Sequence, residues 1–184
     1  GFTAIDPDIT GLAPGEYSLT VHDANGCNAS ASFTLTAPTS IAIGLAASTF
    51  PGGNNTGCDG SSDGSIDATI AGGIAPYTIQ WTGPSGALGV SEDLSGMGAG
   101  TYMISVTDAA GCTATNSITL SGPAGLSAQA AAFMYANGTN LSCAASGDGS
   151  IDLTVSGGTA PFSIAWTGPN GFTSTTADLT NLSP

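Results

Sequence analysis

Lysine and arginine are absent from all 184 residues, and histidine occurs once, as His22, against eleven aspartates and two glutamates. An ordinary chain is about 25% charged. Here only 7% of residues carry charge, all of it acidic, for a net charge of -13. Each missing cation removes a class of function. Nucleic-acid binding relies on cations to displace the counterions of phosphates. A P-loop or Schiff base needs lysine, and a phosphate or carboxylate clamp needs arginine. A polybasic membrane anchor is excluded on the same ground. No apolar run approaches the ~20 residues that span a bilayer, so membrane insertion is not expected, and no signal sequence opens the chain.

The acidity has two readings. It keeps a surface protein soluble and apart from its neighbours, or its carboxylates collect divalent cations. Ion pairs between side chains are limited to whatever His22 offers when protonated. Cohesion must therefore come from apolar burial, backbone hydrogen bonds and any disulfides.

Glycine and proline make up 38 of the 184 residues, a composition that also suits low-complexity chains. Internal repetition argues against that. At an offset of 85 residues, Asp63-Gly64-Ser65-Ile66-Asp67 returns unchanged as Asp148-Gly149-Ser150-Ile151-Asp152, and Trp81-Thr82-Gly83-Pro84 returns as Trp166-Thr167-Gly168-Pro169. Cys27 and Cys58 return as Cys112 and Cys143, and Gly15-x-Tyr17 as Gly100-x-Tyr102. Between 54–99 and 139–184, 21 of 46 aligned positions are identical without a gap. Drift in a disordered tract would not spare turns, aromatics and cysteines together. Pro38 and Pro123 mark the expected boundaries: the C-terminal part of one repeat (1–38), a complete repeat (39–123) and the N-terminal part of a further repeat (124–184). The expected setting is a longer array.

Within each repeat the apolar pattern has period two, the mark of half-buried strands. Ile41, Ile43 and Leu45 alternate with smaller residues. Ile66, Ala68 and Ile70 match Ile151, Leu153 and Val155, and Tyr77, Ile79 and Trp81 match Phe162, Ile164 and Trp166. Tyr102, Ile104 and Val106 match Tyr17, Leu19 and Val21, while Ile118 and Leu120 match Phe33 and Leu35. Gly72-Gly73 before Pro76, Gly83-Pro84 and Asp23-Ala24-Asn25-Gly26 supply turns. Roughly seven short strands per repeat predict an all-β fold of tandem immunoglobulin-like β-sandwiches. Trp81 and Trp166 are the expected core tryptophans, and Tyr17 and Tyr102 open the penultimate strand as tyrosine corners.

The series Cys58, Asp63-Gly64-Ser65-Ile66, Gly72-Gly73-x-x-Pro76-Tyr77, Trp81, Leu94, Gly100-x-Tyr102 and Val106-x-Asp108-x-x-Gly111-Cys112 resembles the SprB-type repeat. That repeat occurs in very large surface adhesins of gliding Bacteroidetes-type bacteria. The resemblance runs from Cys58 to Cys112 in the complete copy and covers the corresponding parts of the others. It implies type IX secretion, display on the cell surface or in extracellular filaments, and adhesion or gliding. It carries no catalytic residue, and His22 departs from the pattern where Thr107 keeps it.

The four cysteines of a secreted small-core repeat are expected to pair. Two connectivities are open: Cys58–Cys112 within a repeat, with the partners of Cys27 and Cys143 outside the 184 residues, or Cys27–Cys58 and Cys112–Cys143 between repeats. Geometry favours the first, provided that the residues between Cys58 and Ser65 climb the edge of the sandwich. Zinc is not expected, with no Cys-x-x-Cys and one histidine. Asp59, Asp63 and Asp67, with Asp148 and Asp152, could form a calcium site, but Asp59 becomes Ala144 and the spacing is not that of an EF-hand. The stronger expectation is turn and surface carboxylates, with no cofactor. Asp23 and Asp108 are expected to fix their hairpin turns. His22 is expected on the surface, and Phe2 and Phe172 align with Ala87, a poor basis for a shared aromatic platform. Asn-x-Ser/Thr sequons at Asn28, Asn54, Asn137, Asn140 and Asn181 are expected by chance in so Ser/Thr-rich a chain.

The expected function is non-enzymatic: a spacer, adhesive or polymer-forming segment of a very large extracellular protein. Its partners would be neighbouring repeats and identical chains in a filament, with surface glycans or other cells as targets. On this view residues 1–38 of one chain could complete 124–184 of another. The alternative is a glycan-binding accessory module of a secreted protein.

Overall fold

The computed structural model describes residues 9–144 and 146–184. In chain order the strands are β1 (Gly15–His22), β2 (Asn28–Leu35), β3 (Ala42–Ala47), β4 (Gly64–Ala71), β5 (Thr78–Gly83), β6 (Gly86–Gly89) and β7 (Leu94–Met97). They continue as β8 (Gly100–Thr107), β9 (Thr113–Leu120), β10 (Ser127–Ala132), β11 (Gly149–Ser156), β12 (Trp166–Thr167), β13 (Thr173–Ser174) and β14 (Leu179–Leu182). The fold is all-β, as the alternation predicts.

Strands β3 to β9 make one sandwich. One sheet has the order β3-β4-β7 and the other β6-β5-β8-β9, all antiparallel. The inward phase of each strand meets in one cluster of Ile66, Ala68, Trp81, Leu94, Tyr102, Ile104, Val106 and Leu120. Ile104 and Val106 are wholly inaccessible and Trp81 is 1% exposed. The Trp81 indole N–H donates to the Ser91 carbonyl at 3.0 Å, so its one polar atom is satisfied inside the apolar layer. The Tyr102 hydroxyl donates to the Gly98 carbonyl at 2.9 Å, four residues upstream, completing the tyrosine corner. Among the described residues no buried side-chain polar atom lacks a partner.

The glycine pair Gly72-Gly73 is required by geometry. Both have positive φ, and a Cβ on Gly72 would collide with the Ser40 carbonyl. Gly157-Gly158 has the same conformation and crowds the Gly125 carbonyl in the same way.

Element bounds recur at an offset of 85 residues: β1 with β8, β2 with β9, β3 with β10, β4 with β11 and β7 with β14. The three groups differ in what surrounds them. The β1–β2 hairpin stands as a two-stranded sheet, and its Leu19, Val21 and Phe33 are exposed. Residues 124–184 form a three-stranded sheet, β10-β11-β14, and a short β12-β13 ladder. Only Leu179 of that group joins the buried apolar residues. The expected strand through Phe162, Ile164 and Trp166 is correspondingly reduced to the two residues of β12. The equivalent β5 is held along its length by β8, whereas no strand stands in that place beside 162–165 among the described residues. Trp166 is therefore half-buried and Tyr17 half-exposed, although each keeps its signature bond: Trp166 to the Thr176 carbonyl at 2.9 Å and Tyr17 to the Ala13 carbonyl at 2.6 Å.

The contrast between the two tryptophans gives a stability test. Trp81→Ala should cost about 3–5 kcal/mol, the usual range for emptying a buried aromatic site, and Trp166→Ala clearly less. Urea unfolding of the two variants, followed by far-ultraviolet circular dichroism, would measure this. Equal losses would contradict the packing described.

Candidate functional site

The carboxylates are bound to backbone and hydroxyl donors. Asp108, which is 5% exposed, closes the β8–β9 turn. Its Oδ1 accepts the N–H groups of Ala110 and Cys112, each at 2.9 Å, and its Oδ2 accepts the N–H of Ile74 at 3.0 Å. The hairpin tip is thereby fastened to the glycine-pair loop, with Ala109 N–H donating to the Ile74 carbonyl at 2.8 Å. Asp23 closes the β1–β2 turn in the same manner, its Oδ1 accepting Asn25 and Cys27 N–H groups at 2.8 Å. Burial pushes the Asp108 carboxyl up, but the N–H groups of Cys112, Ile74, Ala110 and Gly111 outweigh it and hold the group below its ordinary 3.8.

Asp63 and Asp148 organise the loops before β4 and β11. Asp63 accepts Gly57 N–H at 3.0 Å and the Ser61 hydroxyl at 2.8 Å. Asp148 accepts Ser142 N–H at 3.2 Å, the Ser146 hydroxyl at 2.6 Å and the Tyr135 hydroxyl at 2.9 Å. The Gly57 N–H, then the Ser61 hydroxyl, depress Asp63; the Ser142 and Ser146 side chains chiefly depress Asp148. The hydrogen bond to Asp148 in turn raises Tyr135.

Asp67 and Asp152 face solvent on the outward phase of β4 and β11, opposite Ala46 and Ala131. Asp59 is exposed and lies against Gly125. Thus Asp59, Asp63, Asp67, Asp148 and Asp152 are not brought together. Among the described residues no three His, Cys, Asp or Glu side chains gather as a cation site.

Cys27, Cys58, Cys112 and Cys143 are exposed free thiols, so neither expected pairing is formed in this structure. The local reason is visible at Cys58. Its loop turns back on itself through Ser61 N–H to the Cys58 carbonyl at 3.1 Å and Gly57 N–H to Asp63, instead of climbing the edge toward Cys112. Cys112 belongs to the tip held against Ile74, whereas the loop of Cys58 abuts the segment after β9. His22 ends β1 opposite Asn28 and is exposed. Phe172 is exposed, and Phe2 lies outside the described residues.

Two features have no counterpart in the motif reading. Asn55 ties the loop before β4 to the segment after β9. Its Oδ1 accepts Ser121 N–H at 2.9 Å, its own N–H donates to the Ser121 carbonyl at 2.8 Å, and its Nδ2 donates to the Ser48 carbonyl at 2.8 Å. Beside it, Thr56 and Pro123 are buried, and Gly52 and Asp59 lie near Thr159 and Gly125. Asp93 and Asp178 each accept a backbone N–H from the neighbouring strand, Ala68 and Leu153 respectively, at 2.9 Å. The only sequence signal for the latter was the repeated Asp-Leu at 93–94 and 178–179.

A concavity of about 870 Å³ lies over residues 124–184. Leu126, Ala130, Leu153, Val155, Ile164 and Trp166 line it, with Cys58 and Asp59 at one end. Its lining is mainly apolar and carries no cluster of acid–base groups.

The depressed carboxylates set the pH response. Asp63, Asp108 and Asp148 all lose protons more readily folded than unfolded, so the unfolded chain binds more protons as pH falls. Their contribution is fully present above the ordinary value of 3.8 and is lost as pH falls through the folded values. Urea midpoints should hold steady from pH 7 to about 5 and decline below about 4. Asp108→Asn should lower the neutral-pH midpoint and flatten the acid decline.

The family model of the SprB repeat matches the chain at residues 54–86 and 136–171. No curated protein matches it. No helix among the described residues is long and apolar enough to cross a membrane. The matched segments run from the loop of Cys58 or Cys143, through β4 or β11, to the tryptophan and the turn that follows; they cover the first part of the Cys58–Cys112 stretch that carried the resemblance, and 87–112 lie outside the match. These two segments of the chain are thus similar to the SprB repeat, a module of large cell-surface proteins.

Proposed function

We propose that this chain is a spacer and adhesive segment of a very large extracellular protein, built from sandwiches with boundaries at Pro38 and Pro123. Its partners are neighbouring repeats and identical chains, and its targets are surface glycans or other cells. The SprB likeness extends the proposal to type IX export and to gliding.

The junction supports the spacer role best. Asn55 grips Ser121 at the exit of the 39–123 repeat by backbone and side chain, Pro123 is buried, and Gly52 and Asp59 lie near Thr159 and Gly125 of the residues that follow. A linker held in this way transmits orientation from one module to the next, as a filament requires. The carboxylates favour a non-enzymatic role. General acid–base work at neutral pH draws on groups raised toward 7, and the Asp63, Asp108 and Asp148 shifts run the opposite way.

Electron microscopy of the native full-length protein released from cells should show long, thin, beaded filaments. Strands of eight residues give each bead a length of roughly 26 Å plus its loops. Compact globules would overturn the spacer reading. Glycan binding lost on Phe172→Ala would favour the accessory-module alternative.

A further inference from the structure

We propose that successive repeats are stapled by a disulfide across each joint, from Cys58 of one repeat to the hairpin-tip cysteine, the counterpart of Cys112, in the repeat that follows. The inference rests on the array of neighbouring repeats proposed above, and it replaces both pairings expected from the sequence.

The two thiols of the intact sandwich stand at opposite ends of it. Cys112 belongs to the β8–β9 tip, which Asp108 and Ala109 fasten to Ile74 in the glycine-pair loop, at the end where the chain enters the module. Cys58 lies in the loop that Asn55 and Thr56 hold to Ser121, at the end where the chain leaves it. The eight residues of β9 run between these ends and span roughly 26 Å, whereas a disulfide holds its Cα atoms about 4.4–6.8 Å apart. Cys58 and Cys112 of one repeat therefore do not meet. Cys27–Cys58 and Cys112–Cys143 are worse placed, since each would join the entry end of one repeat to the exit end of the next, with both modules in between.

The remaining combination is exit end to entry end across a single joint, and the joint after Pro123 has that geometry. The glycine-pair loop of 124–184 is held to the start of that segment: Gly158 N–H donates to the Ala124 carbonyl at 2.7 Å, as Gly73 N–H donates to the Thr39 carbonyl at 2.7 Å. Cys58 borders the same concavity as Gly158 and Thr159, the counterparts of Gly73 and Ile74. Gly52 lies near Thr159 and Asp59 near Gly125. In the intact repeat, Ile74 is where the tip bearing Cys112 is fastened. A tip fastened in the same way to Thr159 brings its cysteine to Cys58. Cys58 and Cys112 are both exposed, and each recurs at an offset of 85 residues, so one staple per joint uses every cysteine once.

The bond forms by thiol–disulfide exchange with an oxidised protein dithiol. One thiolate attacks the oxidant's disulfide, and the second displaces the oxidant's sulfur from the mixed disulfide. One S–S bond forms as another breaks, and the oxidant leaves as a dithiol carrying the two electrons and the two thiol protons.

Peptic digestion at acid pH of the native full-length protein, alkylated beforehand and kept unreduced, maps the links by mass spectrometry. Cys58 should emerge joined to a Gly-Cys hairpin-tip peptide other than those of Cys27 and Cys112, and this species should be lost on reduction. In Cys58→Ser, Cys27 and Cys112 should stay closed to alkylation, and the thiol that opens should lie in the following repeat. Alkylation of Cys58 in the native protein overturns the proposal, as does a link from Cys58 to any other peptide. Opening of Cys27 or Cys112 in Cys58→Ser overturns it too. Beaded filaments are compatible with each of these results, so the spacer reading stands or falls separately, on the images.

Discussion

A carboxylate in a chain without lysine or arginine has few ways to be stabilised. It can face water, or it can accept N–H and O–H groups, and this structure divides its aspartates between the two. Asp67 and Asp152 are solvated on outward strand positions. Asp23, Asp63, Asp93, Asp108, Asp148 and Asp178 each bind backbone N–H groups of a turn, loop or neighbouring strand. Charge that would elsewhere enter ion pairs here sets loop shape. Charge-assisted bonds to N–H groups are among the stronger hydrogen bonds, and they hold the two ends of the sandwich while the apolar cluster holds its middle.

Much of this was legible in the residues. Alternation placed the inward phase of β3, β4, β8 and β9, and the indole at Trp81 and the Gly-x-Tyr at Gly100–Tyr102 marked the centre and the corner of a sandwich. Such features are local: a period of two and a turn motif read the same wherever the strand goes. The latch made by Asn55 was not legible, because its partner Ser121 is 66 residues away and asparagine has many ordinary uses. Asp93 was missed for the same reason, its partner strand being distant in sequence. The strand expected through Phe162 shows a different limit. Its pattern is correct, but a β-ladder needs a neighbour, and pattern alone does not supply one.

The two tryptophans show how far context governs a repeated motif. Trp81 and Trp166 sit in the same four-residue motif and make the same indole bond to a carbonyl ten residues on. Yet the first is sealed beneath β8 and β9 and the second borders an open groove. Identical side chains thus serve as core in one setting and as exposed lining in another, and the difference lies in the adjoining hairpin.

The seam between the first and last strands of the intact sandwich has a mechanical consequence. Asn116 on β9 donates from Nδ2 to the Ile43 carbonyl on β3 at 2.8 Å, bridging strands that belong to different sheets. Tension along the polypeptide enters this module at Ala42 and leaves at Leu120. The load therefore meets the Asn55–Ser121 bonds and the Gly73–Thr39 bond first and that bridge next, before any interior ladder is stretched. Resistance of the module to being pulled open begins at these few neutral groups.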